Sequence, residues 1–472
     1  MLNKSVLFLL LIMAVWGLGT LSTLFAATHS EAAVASLQQN ILEGSGNGGV
    51  YLPLSVKPFR ATTARVSIAS DGTQGNHASG FPSISADGRY VAFYSIASNL
   101  VSNDTNGMAD IFVHDRHTGM TSRISLASDG TEANGSSIHV DISADGRYVA
   151  FDSYASNLVP GDTNGYIDVF VHDRQTGETS RISVGDDGTQ GNHESDYPVI
   201  SADGRYVAFQ SAASNLIAND TNSVQDIFAY DRQTEQTSRV SVASDGTQGD
   251  GRSLVPSISA DGRFVAFQSE AANLGTHNGF TDIFVHDRQT GETVLVSLNA
   301  DGVEGNYGSW APSISASGRF VAFFSDANNL VSHDTNHDKD VFVRDLETGE
   351  TRLVSVSSDG VQGNTASWSP VISADGRFVV FYTDANTLVN DDTNNSGDVF
   401  VHDQQTAETS RVSIASDGTQ SNHHSGWPSI SANGRYVVFD SDASNLVSDD
   451  TNGVLDVFVH DWDPQANTGW ER

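Results

Sequence analysis

Seven copies of one motif, four apolar runs in each copy, and an orphan run ahead of the first copy predict an all-β fold. That fold is a seven-bladed β-propeller of four-stranded antiparallel blades, closed by an N-terminal strand that completes the last blade. The motif "SADGRY" starts at Ser85, and its relatives start at Ser143, Ser201, Ser259, Ser315, Ser373 and Ser431. The spacings are 58, 58, 58, 56, 58 and 58 residues. A fixed period of this kind marks a repeat architecture.

The four runs of the first copy are "PSIS" (82–85), "YVAFYS" (90–95), "DIFVHD" (110–115) and "TSRISLAS" (121–128). They are rich in Val, Ile, Phe and Tyr and are bounded by turn residues, as strands are. "ADGR" (86–89) and "HTG" (117–119) read as tight hairpin turns with Gly in the left-handed position. Runs such as "YVAF" are apolar on both faces, which fits a blade packed between two others. The last copy ends after its third run, "DVFVHD" (456–461), while "ARVSIAS" (64–70) precedes the first copy and matches "RVSIAS" (411–416). The N-terminal run therefore supplies the missing fourth strand, and closing the ring hides sheet edges that invite aggregation.

Composition narrows the partners. The chain has 472 residues with 24 Lys and Arg against 58 Asp and Glu, a formal charge of -34. Such a surface repels phosphate backbones, which excludes nucleic acid, and attracts metal cations or basic partners. The absence of cysteine excludes disulfides and thiolate metal sites. Lys4 is the only charge before Glu31, and Ser5 to Ala27 is almost wholly apolar. Residues 1–35 therefore read as a signal peptide, with Ala33-Val34-Ala35 as an A-x-A cleavage site. An uncleaved N-terminal membrane anchor is the alternative. Residues 36–60 read as a linker, 61–463 as the propeller and 464–472 as a tail.

The motif "PSISADGRYVAFYS…DIFVHDRHTGMTSRIS" resembles the TolB-like, WD40-like (PD40) propeller repeat in all seven copies, over residues 61–461. Three features depart from that family. Ala86 and its equivalents stand where the family usually has Pro, the repeats are longer than typical, and no α/β domain precedes the propeller. The resemblance implies a binding platform, or a domain attached to a peptidase.

Strand alternation sorts the connections. The "ADGR" and "HTG" turns share one face, and the long connections 96–109 and 70–81 share the other. Long loops on a rigid scaffold are where binding sites sit. The first of them repeats Asp104/Asn106/Asp110 as Asp162/Asn164/Asp168, Asp220/Asn222/Asp226, Asp334/Asn336/Asp340, Asp392/Asn394/Asp398 and Asp450/Asn452/Asp456. Blade 4 keeps Asn278 and Asp282 but has Thr276 in the first Asp's place. These sets are candidate calcium ligands. They lack the first and twelfth ligands of an EF-hand, so Asx-turns are the plainer reading.

The second long connection brings aromatics near the next Pro: Phe81, Tyr197, Trp310, Trp368 and Trp427. Ringed around a channel mouth they would grip a sugar or peptide; packing between blades is the plainer reading. His193, His423 and His424 follow no metal spacing and read as surface histidines. The "HDR" Asp115 recurs in every blade, which argues for turn stabilisation over catalysis. No G-x-S-x-G, H-E-x-x-H or P-loop is present.

The expectation is a monomeric, exported, non-catalytic propeller that binds a protein or glycan partner through its long-loop face, with calcium as the one cofactor in question. The alternatives are a propeller enzyme acting on glycans or peptides at the channel mouth, and a Tol-like cell-envelope component.

Overall fold

The computed structural model describes residues 61–275 and 278–463. The expected signal or anchor segment, the linker to residue 60, the tail 464–472 and Thr276 lie outside the described residues. Among the described residues no helix is long and apolar enough to cross a membrane.

Seven four-stranded antiparallel sheets follow one another, and consecutive strands pair in order within each. Blade 1 is Ser79–Ile84, Tyr90–Ser95, Asp110–Asp115 and Met120–Arg123. Blade 7 is Ser425–Ile430, Tyr436–Ser441, Asp456–Asp461 and, from the other end of the chain, Thr62–Arg65. Thr62 pairs with Asp461 and Arg65 with Phe458, so the ring closes as the orphan run predicts.

The second strands are buried throughout their centres. Val91, Ala92 and Phe93 show no exposed surface. Clusters of buried side chains bridge neighbouring blades: Ile111, Val113 and Ile124 of blade 1 pack with Val149, Phe151 and Leu158 of blade 2. Within each blade two Phe rings stack across the central strand pair, as Phe93 does on Phe112 at 6.1 Å. Full burial of one such ring contributes about 2 kcal/mol.

Both hairpin turns form as read. Gly88 has φ 75° and Gly119 has φ 72°. Gly88 is required twice over, because a Cβ there would lie 2.1 Å from the Tyr436 ring of the preceding blade. At the "SADG" turns the backbone builds a closed circuit. Ala86 N–H donates to Ala144 O, Ala144 to Ala202, Ala202 to Ala260, Ala260 to Ala316, Ala316 to Ala374, Ala374 to Ala432, and Ala432 back to Ala86, at 3.0–3.3 Å. A proline at this position has no N–H to give, so the departure from the TolB-like pattern is what permits the circuit.

The strand bounds differ from the runs in two places. The first strand begins earlier, at Ser79, and carries a bulge between Gly80 and Ser83. The fourth strand stops at Arg123, short of the run 121–128. The reason is a side chain: Ser125 Oγ accepts from Ile111 N at 3.1 Å and donates to Asp110 at 2.5 Å. A serine hydroxyl thus takes over a ladder bond, and the chain turns away towards the next blade.

Deleting residues 61–70 should leave the third strand of blade 7 as an open edge. The expected outcome is a lower melting temperature and aggregation on size-exclusion chromatography. Unchanged melting with monomeric elution would contradict the closure.

Candidate functional site

The Asp/Asn loops assemble at the long-loop end of each third strand. Asp110 is fully buried. It accepts from Ser125 Oγ and from Asn106 Nδ2 at 2.8 Å. Asn106 Nδ2 also donates to Ala133 O at 3.0 Å, and its Oδ1 accepts from Met108 N at 2.8 Å, which is an Asx-turn. Asp104 lies beside this group. Arg123 Nη1 sits 3.5 Å from Asp104, 3.4 Å from Asp110 and 2.6 Å from Glu132.

The same guanidinium recurs in four further blades. Arg181 reaches Asp162 and Asp168, and Arg239 reaches Asp220 and Asp226. Arg411 reaches Asp392 and Asp398, and Arg65 reaches Asp450 and Asp456. Asn164, Asn222, Asn394 and Asn452 each donate to the buried Asp as Asn106 does. In these five blades arginine supplies the positive charge that a bound cation would bring. Asp104, Asp110 and Glu132 are the one described group of acids close enough to hold a metal ion, within 4.8 Å of one another. Burial, with Asp110 next to it, pushes Asp104 up to about 6.

Blades 4 and 5 differ. Leu295 and Leu353 stand where the other blades have arginine. In blade 5, Asp334 and Asp340 share Gln362 Nε2 at 2.9 and 2.7 Å, and Asn336 bonds Gly363 O at 2.9 Å. Burial pushes Asp340 up to about 6. Blade 5 is the one full Asp/Asn/Asp set without a guanidinium. In blade 4, burial pushes Asp282 up to about 7, with Glu304 beside it adding to the rise.

The arginine and serine partners of these loops escaped the sequence reading. Their signal was present, since the R-x-S of "TSRIS" recurs in the blades that hold both aspartates, blade 5 excepted.

Asp115 takes the turn role expected of it. Arg89 grips it with two hydrogen bonds at 2.9 and 2.7 Å, and His117 N donates to it at 3.0 Å. Arg89 holds the Asp115 carboxyl well below the usual range. His114 is buried, bonds Thr121 Oγ1 at 2.9 Å, and is lowered to about 4 by that burial. The equivalents of Asp115 in blades 5 and 3, Asp345 and Asp231, line shallow cavities. Shallow cavities of about 170 and 330 Å³ lie between the outer strands of blades 5 and 6 and of blades 3 and 4, near Glu350 and Gln236 respectively.

The channel mouth breaks the seven-fold pattern. First strands of adjacent blades lie against one another around the axis. At each bulge one residue turns into the left-handed region: Phe81 at φ 47°, Tyr197 at 51°, Val255 at 51°, Ala311 at 47°, Ser369 at 47° and Trp427 at 43°. Blade 2 has His139 in this place without the left-handed turn. Blades 7, 1, 2 and 3 therefore present Trp427, Phe81, His139 and Tyr197 as an unbroken arc. Trp427 meets Phe81 edge-on at 4.9 Å, Phe81 meets His139 at 5.7 Å, and His139 stacks on Tyr197 at 3.8 Å. Trp427 is 47% exposed and Tyr197 40%.

Trp310 and Trp368 stand one residue earlier in the strand and behave differently. They pack on their cross-strand neighbours Phe324 and Tyr382, with centroids at 5.6 and 5.3 Å. The five aromatics read as one class thus divide into a mouth set and a packing set. A bulky residue in the left-handed region costs about 1–3 kcal/mol, and strain of this kind concentrates at functional sites.

Acids lie beneath the arc. Asp152 Oδ2 is 2.6 Å from His139 Nδ1 and accepts from Tyr197 N at 3.1 Å. Asp440 accepts from Phe81 N at 3.3 Å, and burial pushes it up to about 8. Burial also pushes Asp196 up to about 6. Ten of the eleven exposed large apolar residues, all but Met120, stand on the long-loop side, so this face is the sticky one.

No protein-family model and no curated protein matches the sequence. Solved structures do. The β-propeller domain of the trilobed protease from Pyrococcus furiosus is 12% identical, with a TM-score of 0.50, over 82% of this chain and 95% of that one. TolB from Acinetobacter baumannii is 15% identical, TM-score 0.38, over 64% of this chain and 58% of that one. An oligogalacturonate lyase in complex with manganese is 12% identical, TM-score 0.48, over 86% and 98%. The Pyrococcus domain shares the propeller fold. It is described as an open velcro, whereas Thr62–Arg65 closes this ring. The likeness to the Pyrococcus domain extends to the propeller fold, and the chain spans little more than half of the Acinetobacter protein.

Two outcomes follow from the charges. Arg123→Leu strips Asp104, Asp110 and Glu132 of their cation and should cost about 3 kcal/mol. Calcium should then raise the melting temperature of that variant more than that of the wild type. Equal calcium response in both would contradict the role given to Arg123. Asp440 has a raised folded value, so its contribution is full below about pH 4 and is lost as pH rises through about 8. Asp440→Asn should therefore gain melting temperature relative to the wild type between pH 5 and pH 9. A difference independent of pH would contradict the burial of a neutral Asp440.

Proposed function

We propose that the chain is a non-catalytic binding module working outside the cytoplasm, and that it holds a peptide or glycan partner at the channel mouth on its long-loop face. The observation that carries this reading is the arc Trp427–Phe81–His139–Tyr197. It occupies four adjacent blades of an otherwise repetitive ring and holds three bulky side chains, Trp427, Phe81 and Tyr197, on left-handed backbone. Packing alone does not call for exposed rings at strained positions, and a ligand-gripping platform does. The export part of the proposal rests on residues 1–35 alone.

A second reading has its own observation. His139, Asp152 and Asp196 form a cluster confined to blades 2 and 3, and a carboxylate-oriented histidine suits general acid–base work on a glycan or peptide. The Tol-like envelope role gains no separate support from these residues. Calcium stays within the proposal as a stabiliser. Blade 5 offers Asp334 and Asp340 without an arginine, bridged by Gln362 Nε2, whereas the one described trio of acids close enough to hold a metal, Asp104, Asp110 and Glu132, already holds Arg123.

Glycan and peptide libraries screened against the wild type and a Trp427→Gly/Tyr197→Gly variant test the mouth. Glycine suits the left-handed backbone at both positions, so the variant keeps the fold. Binding that disappears in the variant supports the proposal, and binding that persists overturns it. Turnover of a bound ligand, abolished by His139→Gln, would favour the second reading. Melting in calcium against chelator reads the metal: a site at a hundred times its dissociation constant adds about 2.7 kcal/mol, and no shift contradicts calcium.

A further inference from the structure

Throughout most of this propeller a buried acid has a basic partner. Asp110 lies near Arg123 and Asp115 is gripped by Arg89, and the arrangement repeats around the ring. The acids under the aromatic arc, like Asp282, Asp334 and Asp340 of blades 4 and 5, depart from this pattern. Among the described residues, Asp152, Asp196 and Asp440 form no ion pair with lysine or arginine. Asp152 and Asp440 are almost wholly buried, directly beneath the backbone that carries His139, Tyr197 and Phe81. Asp196 is half-buried beside Tyr197. Glu194 and Asp442 extend the negative charge, being close enough to raise Asp196 and Asp440 respectively.

Two chemical features therefore coincide at one place. Aromatic faces, negative by their quadrupole, line the mouth. Carboxyls with no lysine or arginine partner lie behind them. Neutral sugars need ring faces but gain little from uncompensated acids, and phosphorylated or acidic ligands are repelled. A guanidinium or ammonium group satisfies both, through cation–π contact with the rings and through the field of the acids. The chain already uses the first pairing elsewhere: Arg116 stacks over Tyr436 at 4.4 Å and Lys339 over Trp310 at 5.3 Å. The net charge of -34 would draw such a ligand in.

Resting on the reading of the mouth as a binding site, we propose that the arc Trp427–Phe81–His139–Tyr197, with Asp152, Asp196 and Asp440 beneath it, is a receptor for an arginine or lysine side chain of a basic peptide. The cation enters between the exposed Trp427 and Tyr197 rings and comes nearest to Asp196. The buried Asp152 acts on it through its field, while Asp440, held neutral by its burial, offers only its dipole. The opposite half of the mouth, with Val255, Ala311 and Ser369 at the same positions, leaves room for the rest of the peptide.

Calorimetric titration of the full chain tests this with three probes: a short Arg-Gly repeat peptide, the same peptide with citrulline for arginine, and a neutral oligosaccharide mixture. Citrulline keeps the shape and removes the charge. The arginine peptide should bind the wild type at least tenfold more tightly than the citrulline peptide. Asp196→Asn should weaken it several-fold, and Trp427→Gly/Tyr197→Gly at least tenfold. Arginine-peptide binding indifferent to these substitutions would mean adsorption to the acidic surface and would overturn the proposal. Binding of the oligosaccharides or the citrulline peptide, lost in the glycine variant, would overturn the cationic ligand while leaving the mouth as a binding site. No arc-dependent binding by any probe would remove both.

Discussion

Everything else in this molecule hangs on a circuit of seven backbone hydrogen bonds from one "SADG" alanine to the next. Each N–H crosses a blade boundary, and Ala432 returns to Ala86. Blades otherwise meet through non-directional apolar packing, which tolerates sliding. A hydrogen bond between fixed backbone groups does not. The circuit sets the relative height and angle of all seven blades at the short-turn face, and Thr62–Arg65 locks the two chain ends into the same ring.

A second layer of repeated polar contacts then ties each blade to itself. Arg89 and its equivalents clamp the third-strand aspartate near the circuit. Ser125, Asn106 and Arg123 hold Asp110 at the opposite end. Both ends of the third strand are therefore pinned by buried charges with partners. Breaking one such pair exposes an uncompensated charge, which is why these residues recur even though a buried pair adds little net stability. With the strands so held, the bulge residues of the first strands can carry strained backbone and project side chains into the mouth.

Much of the architecture was legible in the sequence because it repeats. The motif spacing and the Gly of each first hairpin turn are local signals seen seven times over, and the orphan strand at 64–70 matches the fourth run that the repeat defines. The long-loop face followed from strand alternation alone. What stayed hidden depends on contacts between residues distant in the chain. Arg123 meets Asp104 only because the fourth strand returns beside the loop, and Ser125 leaves the sheet because its hydroxyl finds Asp110. The aromatics looked alike at "near the next Pro", yet one step in register separates Tyr197, facing the mouth, from Trp310, packed on Phe324. In a strand one residue reverses the face, and the left-handed residue is the one before Pro in six blades, missing only in blade 2 where Val140 replaces that Pro. The proposed function was the least legible, because the arc it rests on lies where the repeats disagree.

Amide hydrogen exchange at the seven alanines tests the account at its root. Groups that hold a cooperative ring together exchange only through global unfolding. The amides of Ala86, Ala144, Ala202, Ala260, Ala316, Ala374 and Ala432 should therefore fall in the slowest-exchanging class and share one opening free energy. Exchange of any of them at the rate of an exposed loop amide, such as that of Gly107, would contradict the closed circuit.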